Sequence, residues 1–219
     1  TRDTASWEIP VNGRKKMSTA KYMMSTIAAC EPNYIEQALK HVGAFIGDLY
    51  SKAGSVGARY GVIATGEHAG SIALFQSYEN LAGIEKAFQV YAESSDYQSI
   101  ISSGKLSVAM RNITKLEDVN VSKPSSDTPK YGVVTVFSGS LFLDQMSETI
   151  PLWESNGAML IRYGTLVTGS HTGMRFLVAA YPSMDAIEKT YDALRSSAIY
   201  KKILTEVDLD RRNIVRIVG

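Results

Sequence analysis

The sequence has little of what marks several large functional classes. Its single cysteine, Cys30, cannot form an intramolecular disulfide, and Lys plus Arg (23) barely exceed Asp plus Glu (22). No apolar run approaches the roughly 20 residues that span a bilayer, and residues 1–16 lack the apolar stretch of a secretory signal. We therefore expect a cytoplasmic protein whose partners include neither membrane nor nucleic acid, since duplex binding requires a surplus of cations on one face.

Cofactor signatures are also missing. The sequence contains neither a glycine-rich phosphate loop nor a Rossmann fingerprint, and the segment Gly54-Ser55-Val56-Gly57 is too short and wrongly placed to serve as one. No Cys or carboxylate stands at ligand spacing beside a His. The sequence predicts no cofactor and no metal site.

What the sequence does contain is an internal repeat. Without a gap, residues 59–100 match residues 162–203 at 15 of 42 positions. The identities begin with Arg59-Tyr60-Gly61 against Arg162-Tyr163-Gly164, and they include the pattern Thr-Gly-x-His-x-Gly that follows in both copies. The flanks agree as well, since Arg111-Asn112-Ile113 corresponds to Arg212-Asn213-Ile214. This similarity indicates a tandem duplication.

The boundaries of the two copies follow from composition. Residues 117–129 are rich in Ser, Asp, Lys and Pro and are typical of a linker. We predict an N-terminal arm or expression remnant at 1–19, a first repeat at 20–116, and a second repeat at 130–219.

Each repeat predicts the element order βαββαβ. In the first, Tyr22–Ala29 has strand length, and from Pro32 the apolar residues recur at helical spacing. Two strand-like segments, Val56–Thr65 and Ser71–Tyr78, flank a glycine-bracketed loop. A helix after Asn80, a plausible N-cap, and a strand over Leu106–Ile113 complete the unit. This order is the split βαβ, ferredoxin-like unit.

The second repeat predicts the same order with its own boundaries. Its first helix is expected over Leu141–Trp153, with a kink or an early end at Pro151. A hairpin is predicted next, with its strands at Leu160–Thr168 and Met174–Tyr181. A helix at Met184–Leu194 and a last strand at Asn213–Val218 follow.

A four-stranded sheet with both helices on one side leaves its other face uncovered. Strands such as Ile72–Phe75 and Phe176–Ala179 are apolar on both alternations, so both of their faces favour burial. Two units in one chain can meet that need by packing sheet against sheet. In its α+β layout of two ferredoxin-like repeats, the chain resembles the fused form of the dimeric α/β barrel superfamily. That resemblance implies an intramolecular barrel.

The candidate pocket residues belong mainly to the repeated strands. Alternation sends Arg59 and Tyr60, and likewise Arg162 and Tyr163, to opposite faces of their strands. An inward Arg would bind a carboxylate or stabilise an enolate, and an inward Tyr would donate a proton. The alternative, which we favour, is an edge-strand Arg in a surface ion pair and a Tyr that covers the core.

Further candidates differ between the copies or lie in the turns. Tyr78 and Tyr181 either line a pocket or pack at the ends of elements. Gln76 corresponds to Ala179, so we expect the first repeat to hold the more polar pocket. His68 and His171 form a polar pair at the hairpin tips; they bind a metal, act as acid and base, or are turn residues inherited by both copies, and we do not favour the metal.

Three functions remain open on these grounds. The favoured one is binding of a small hydrophobic or aromatic ligand in a barrel pocket or a sheet–helix pocket. The resemblance also implies a cofactor-independent monooxygenase or isomerase, and a third possibility is an assembly module that forms homo-oligomers. The superfamily includes haem-binding chlorite dismutase-like enzymes. Haem is not expected here, because no His falls on a predicted buried element.

Overall fold

The structure is a computed structural model, and it describes residues 20–121 and 127–219. The predicted N-terminal arm (1–19) and part of the predicted linker (122–126) lie outside the described residues. Among the residues described, no helix combines the length and the apolar character needed to cross a membrane.

The first repeat contains four strands and three helices. After a single 3₁₀ turn at Pro32–Tyr34, the long first helix leads to the central hairpin. The elements are β1 (Tyr22–Cys30), α1 (Ile35–Ser51), β2 (Gly57–Ile63), β3 (Ile72–Tyr78), α2 (Leu81–Glu93), α3 (Ser95–Ser102) and β4 (Leu106–Leu116).

The second repeat has the same order. Its elements are β5 (Tyr131–Ser138), α4 (Leu143–Ser155), β6 (Leu160–Leu166), β7 (Arg175–Tyr181), α5 (Met184–Ser196), α6 (Ala198–Thr205) and β8 (Asp208–Ile217). Each repeat is therefore the predicted ferredoxin-like unit with one additional short helix before its last strand.

The additional helices arise from serine caps. Asn80 caps α2 as predicted, since its Oδ1 accepts a hydrogen bond from the Gly83 backbone N–H at 3.1 Å. Ser94 is extended and caps α3 through the Tyr97 N–H, and Ser197 caps α6 in the same way. An extended residue that ends one helix and caps the next thus adds a short helix after the second helix of each repeat.

Pro151 does not end its helix. Helix α4 continues four residues beyond it to Ser155, so the expected early end is wrong. A proline in a helix interior removes one backbone hydrogen bond. The packing of the buried Trp153, two residues later, keeps this part of α4 against the core.

The eight strands form one closed antiparallel barrel in the order β1-β3-β2-β8-β5-β7-β6-β4. The two sheets thus cover each other, as predicted, and the fold is that of an intramolecular dimeric α/β barrel. Closure leaves neither β2 nor β6 at an edge, so the favoured edge-strand role of Arg59 and Arg162 is wrong.

The repeated sequence motif lies where the two repeats join. Strand β2 pairs with β8 of the other repeat, and β6 pairs with β4. Thr65 Oγ1 accepts a hydrogen bond from the Ile214 N–H at 2.9 Å, and Thr168 Oγ1 accepts one from the Ile113 N–H at 2.8 Å. The identical contacts show that the duplication preserved a two-fold junction.

Two glycines allow the strands to approach at these junctions. A Cβ on Gly61 would lie 2.0 Å from the Arg216 carbonyl oxygen, and a Cβ on Gly164 would lie 2.0 Å from the Lys115 carbonyl oxygen. No side chain fits at such a distance. This close approach gives a physical reason for the glycine in both Arg-Tyr-Gly segments.

The core has three parts. Each repeat buries an apolar layer between its sheet and its helices, and apolar residues from both repeats fill much of the barrel interior. The first residues of the predicted linker join the second of these layers, because Val119 and Val121 are buried there. Two small spaces lie among the described residues: one inside the barrel and one in the sheet–helix layer of the first repeat.

Candidate functional site

The repeated Arg and Tyr of β2 and β6 turn to opposite sides of the barrel wall. Tyr60 pairs with Leu74 and Tyr163 with Leu177, and these residues face the helices. Arg59 pairs with Phe75 and Arg162 with Val178, on the face that points into the barrel. Both arginines stand near the barrel end at which β2 and β6 begin.

These four residues are held by structural contacts. The Tyr163 hydroxyl donates to the Leu141 carbonyl oxygen at 2.6 Å. Arg162 Nη1 donates to Asn120 Oδ1 at 2.8 Å, and burial lowers the pKa of its guanidinium. Arg59 Nη1 donates to the Ala58 carbonyl oxygen at 2.8 Å. Tyr60 lies over α1, where a Cβ on Gly43 would meet its hydroxyl at 2.6 Å.

Gln76 and Tyr78 belong to a buried hydrogen-bond network under the helices of the first repeat. The Tyr78 hydroxyl donates to Gln76 Oε1 at 2.6 Å, and Gln76 Nε2 donates to the Tyr91 hydroxyl. Gln76 and Tyr78 are fully buried. In the second repeat Ala179 replaces Gln76, and the buried Tyr181 hydroxyl has no hydrogen-bond partner among the described residues.

The seven candidate pocket residues, Arg59, Tyr60, Gln76, Tyr78, Arg162, Tyr163 and Tyr181, line neither of the two spaces described below. The four tyrosines and Gln76 are instead part of the packed layer beneath the helices. Gln76 and Tyr78 nevertheless connect through Tyr91 to a second group of residues, which borders a cleft.

That group centres on Arg111 of β4 and is called here the Arg111 cluster: Thr26, Tyr91, Tyr97 and Arg111. Arg111 Nε donates to Thr26 Oγ1 at 3.1 Å, and its Nη2 donates to the Tyr97 hydroxyl at 3.2 Å. The guanidinium carbon lies 4.7 Å from the centre of the Tyr91 ring, which stacks on Tyr97. All these contacts of the cation are to neutral groups.

No carboxylate neutralises Arg111 within the described part of the chain. The ion pairs of residues 20–121 and 127–219 join other side chains, and none of them includes Arg111. The side chain is half-buried. A guanidinium carries five N–H donors in a planar fork that matches a carboxylate, so this position is suited to an anionic ligand.

An apolar cleft of about 40 Å³ adjoins the cluster between the sheet and the helices of the first repeat. Thr26, Tyr97 and Arg111 supply its polar side. Its other walls come from β1, α1, β3, α3 and β4 and are apolar: Ala28, Val42, Phe45, Ile72, Leu74, Ile100, Leu106 and Val108.

The second repeat reproduces the cation but changes its surroundings. Arg212 Nε donates to Thr135 Oγ1 at 3.2 Å, Arg212 Nη2 donates to the Tyr200 hydroxyl at 3.2 Å, and the guanidinium lies over Tyr191. Position 28 of the first repeat corresponds to position 137 of the second, because both follow the same irregularity in strand pairing. The buried Phe137 therefore stands where the first repeat has Ala28.

Burial keeps the tyrosines of both layers protonated near neutral pH. It raises the pKa of Tyr91 and Tyr163 to about 12, and it raises the pKa of Tyr78 and Tyr181 further. These hydroxyls are consequently hydrogen-bond donors and not bases under ordinary conditions.

His68 and His171 lie at the other end of the barrel, in the loops after β2 and β6. His171 Nδ1 is 3.3 Å from Arg211 Nη2, and its Nε2 is 3.8 Å from Asp210 Oδ2. Because Arg can only donate, Nδ1 is the acceptor in this pair. Within the described residues, no three His, Cys, Asp or Glu side chains converge as a metal site would require.

The second space, called here the barrel cavity, measures about 30 Å³ and is lined by both repeats. Six equivalent pairs of residues contribute to it, so it straddles the pseudo-two-fold axis. These pairs are Ser25/Val134, Ile27/Val136, Ile63/Leu166, Ala73/Phe176, Met110/Arg211 and Asn112/Asn213.

Only an indirect signal for the Arg111 cluster is present in the sequence. Its members come from β1, α2, α3 and β4; the last three elements follow one another, whereas Thr26 of β1 lies 85 residues before Arg111. Tyr97 and Arg111 are both repeated, as Tyr200 and Arg212, but nothing in the sequence showed that they meet.

Solved structures with the same fold support the architecture. A proposed monooxygenase from Fusobacterium nucleatum subsp. nucleatum superposes with a TM-score of 0.60 at 11% identity, covering 91% of this chain and 94% of its own. Chlorite dismutase from Candidatus Nitrospira defluvii in complex with imidazole superposes with a TM-score of 0.60 at 10% identity, covering 94% of this chain and 95% of its own. A heme-binding protein from Thermus thermophilus superposes with a TM-score of 0.55 at 8% identity, covering 91% of this chain and 92% of its own.

Haem does not fit the residues that the structure describes. The two spaces measure about 30 and 40 Å³, whereas sites for ligands of drug size measure about 300–1,000 Å³. No His or Cys lines either space, so the side chains that most often bind haem iron are not present there.

Sequence comparison assigns the chain to a family. No curated protein matches it. A family model described as a domain of unknown function, DUF6854, matches twice, over residues 20–116 and over residues 131–217. The chain therefore belongs to the DUF6854 family, and it carries two tandem copies of that domain within one barrel.

Proposed function

We propose that the protein binds a small carboxylate with an apolar tail in the cleft of the first repeat. The observation that carries this proposal is the half-buried Arg111 guanidinium, which borders an apolar cleft and has no carboxylate partner among the described residues. The carboxylate would contact Arg111 and the Tyr97 hydroxyl, and the tail would lie against the apolar wall.

Electrostatics favours this occupant. A cation removed from water loses hydration, and the neutral groups around Arg111 replace only part of it. A carboxylate would supply the missing countercharge through charge-assisted hydrogen bonds, each of which contributes about 1.5–3 kcal/mol. Thr26 and the Tyr91 ring orient the guanidinium before the ligand arrives, which reduces the entropy lost on binding.

The size of the cleft limits the tail. A space of about 40 Å³ accepts only a few heavy atoms, so a longer or aromatic tail must extend towards the half-exposed Val108. Each methylene buried contributes about 0.8 kcal/mol, or roughly fourfold in affinity. Affinity should rise along a series of acids and level off once the cleft is full.

A catalytic function would use the same groups. In a cofactor-independent monooxygenase or isomerase, Arg111 would stabilise an enolate and Tyr97 would supply a proton. The hydrogen bond from Arg111 to the Tyr97 hydroxyl, at the wall of the cleft, favours this as the second candidate. It differs from simple binding because the ligand changes chemically.

Isothermal titration with straight-chain acids from acetate to octanoate, and with benzoate, tests the proposal. Wild-type protein should bind with increasing affinity until the cleft is filled, and Arg111→Met should bind about 10- to 100-fold more weakly. Arg212→Met is the matched control and should bind as the wild type does. Following each acid by NMR in aerated buffer distinguishes binding from turnover.

Three results would contradict the proposal. These are equal losses in the two variants, an affinity that does not depend on tail length, and no binding of any acid by a folded wild-type protein. The last result would leave the assembly function as the remaining expectation, to be examined by the oligomeric state in solution.

A further inference from the structure

The geometry points to a second ligand site, for a halide-sized monovalent anion, inside the barrel between Ser25, Asn112, Asn213 and Arg211. This site is independent of the cleft. Along β1 and β4 the residues alternate between faces, so Thr26 and Arg111 face the helices while Ser25 and Asn112 face the barrel cavity.

Three buried polar side chains line the cavity, and the hydroxyl of one of them, Ser25, has no hydrogen-bond partner within the described part of the chain. The Ser25 hydroxyl makes no hydrogen bond there, although the residue is only 6% exposed. The side chains of Asn112 and Asn213, which are 4% and 9% exposed, also line the cavity, and their Oδ1 atoms lie against Gly169 and Gly66. Buried polar groups are nearly always paired, so the unpaired Ser25 hydroxyl indicates an occupant of the cavity.

The charge around the cavity identifies the occupant as an anion. Arg211 reaches the cavity from β8, whereas no carboxylate lines it among the described residues. Asp210 lies 3.6 Å from Arg211 Nε and is half-exposed at the rim, so it offsets the cation only in part. His171 accepts from Arg211 through Nδ1 and adds no negative charge. The polar groups that line the cavity thus include one cation and no carboxylate, and the rest of the lining is apolar.

The two repeats differ at the positions that supply these polar groups. Ser25 is equivalent to Val134, and Arg211 is equivalent to Met110, whereas Asn112 and Asn213 are identical. Each repeat therefore contributes one polar residue where its counterpart is apolar, and the site exists only because both repeats share one cavity.

The volume sets the size of the anion. A buried water needs about 10–15 Å³, so a cavity of about 30 Å³ accepts one or two such molecules, or one halide-sized ion. Larger anions such as gluconate are excluded on size. Chloride and bromide are accordingly suitable probes, and sodium gluconate provides the same ionic strength without a ligand.

Thermal unfolding in sodium chloride, sodium bromide and sodium gluconate at equal concentration tests the site. The wild type should unfold a few degrees higher in the halides than in gluconate, because a ligand that binds only the folded state stabilises it. Ser25→Val and Arg211→Met introduce the residue that the other repeat already uses, and both should lose this difference. Arg216→Met removes an exposed cation from β8, the strand that carries Arg211, and this variant should keep the difference between the halides and gluconate.

A halide effect that persists in Arg211→Met, or that is absent from the wild type, would overturn the site. If a variant does not fold, bromide-soaked crystals of the wild-type protein provide the second measurement. An anomalous peak within hydrogen-bond distance of Arg211 and one Asn amide supports the site, and a barrel cavity without a bromide peak refutes it.

Discussion

The two repeats share one framework but differ beneath their helices. In the first, Ala28 leaves a cleft beside Arg111, and Gln76 satisfies the hydroxyls of Tyr78 and Tyr91. In the second, Phe137 occupies the position of Ala28, and Ala179 leaves the Tyr181 hydroxyl without a partner among the described residues. The junctions between the repeats, by contrast, are alike on both sides of the barrel. The duplication thus preserved the contacts that close the barrel, while the sheet–helix layers diverged.

The largest effect is expected at the junctions, where the repeats should behave alike. Gly61→Ala and Gly164→Ala each place a Cβ about 2.0 Å from a backbone carbonyl oxygen of the facing strand. We expect each change to lower the free energy of unfolding by roughly 4 kcal/mol or more, since the neighbouring strand must shift. Urea denaturation followed by circular dichroism measures the loss.

Gly47→Ala provides the control for this pair. Gly47 lies inside helix α1 with no atom within 4 Å of its potential Cβ, so the change should stabilise the protein by about 0.5–1 kcal/mol. A large loss at only one junction would mean that the barrel is not held symmetrically.

Alkaline pH should weaken both layers. The folded-state pKa of Tyr91 in the first repeat and of Tyr163 in the second is raised to about 12, above the unfolded value of about 10. Because the folded state holds these protons more tightly, their contribution is complete below pH 10 and is lost as the pH rises towards 12. In that window, each tyrosine should lower the free energy of unfolding by up to about 1.4 kcal/mol per pH unit.

Urea midpoints between pH 8 and pH 12, together with tyrosinate absorbance, measure this effect. Buried tyrosines should ionise only as the protein unfolds. Tyrosinate absorbance that reached its full value near pH 10 in folded protein would show that these rings are accessible, contrary to their burial.

A smaller and more selective effect distinguishes the repeats. Tyr78→Phe removes the hydroxyl that donates to Gln76 Oε1, and the buried acceptor left behind should cost about 1–3 kcal/mol. Tyr181→Phe, the same change at the equivalent position, removes a hydroxyl with no partner among the described residues and should be neutral or slightly stabilising. Urea denaturation of the two variants measures both effects. Equal losses in the free energy of unfolding would contradict the proposed difference between the two sheet–helix layers.

The fold was predictable because its signals are local or repeated. The repeated Arg-Tyr-Gly segments and the change from strand to helical spacing predicted two ferredoxin-like units, and the resemblance to the dimeric α/β barrel superfamily implied the barrel. The predicted start of β8 is Asn213 and the observed start is Asp208, because the charged Asp210-Arg211-Arg212 segment lacks the apolar alternation of a half-buried strand. The short helices α3 and α6 were not predicted, because nothing in the sequence distinguishes the capping serines Ser94 and Ser197 from other serines.

The site was harder to predict. The repeated pattern around Gly61 and Thr65 suggested a pocket, but its identity between the repeats has a structural reason, the junction. The difference between Gln76 and Ala179 predicted a more polar pocket in the first repeat, but Gln76 belongs to the hydrogen-bond network beneath the helices and lines neither space. Arg111 meets Thr26, Tyr91 and Tyr97 only after three elements fold onto one strand, and such long-range contacts leave no mark on a single sequence.

Binding of the carboxylate series by the Ala28→Phe variant tests the central claim most directly, because it gives the first repeat the residue of the second. The introduced phenylalanine ring should fill the cleft, so we predict at least a tenfold loss of affinity while Arg111 stays in place. Circular dichroism should show that the variant is folded. Unchanged affinity in a folded Ala28→Phe protein would show that the ligand does not occupy the cleft, and it would contradict the account.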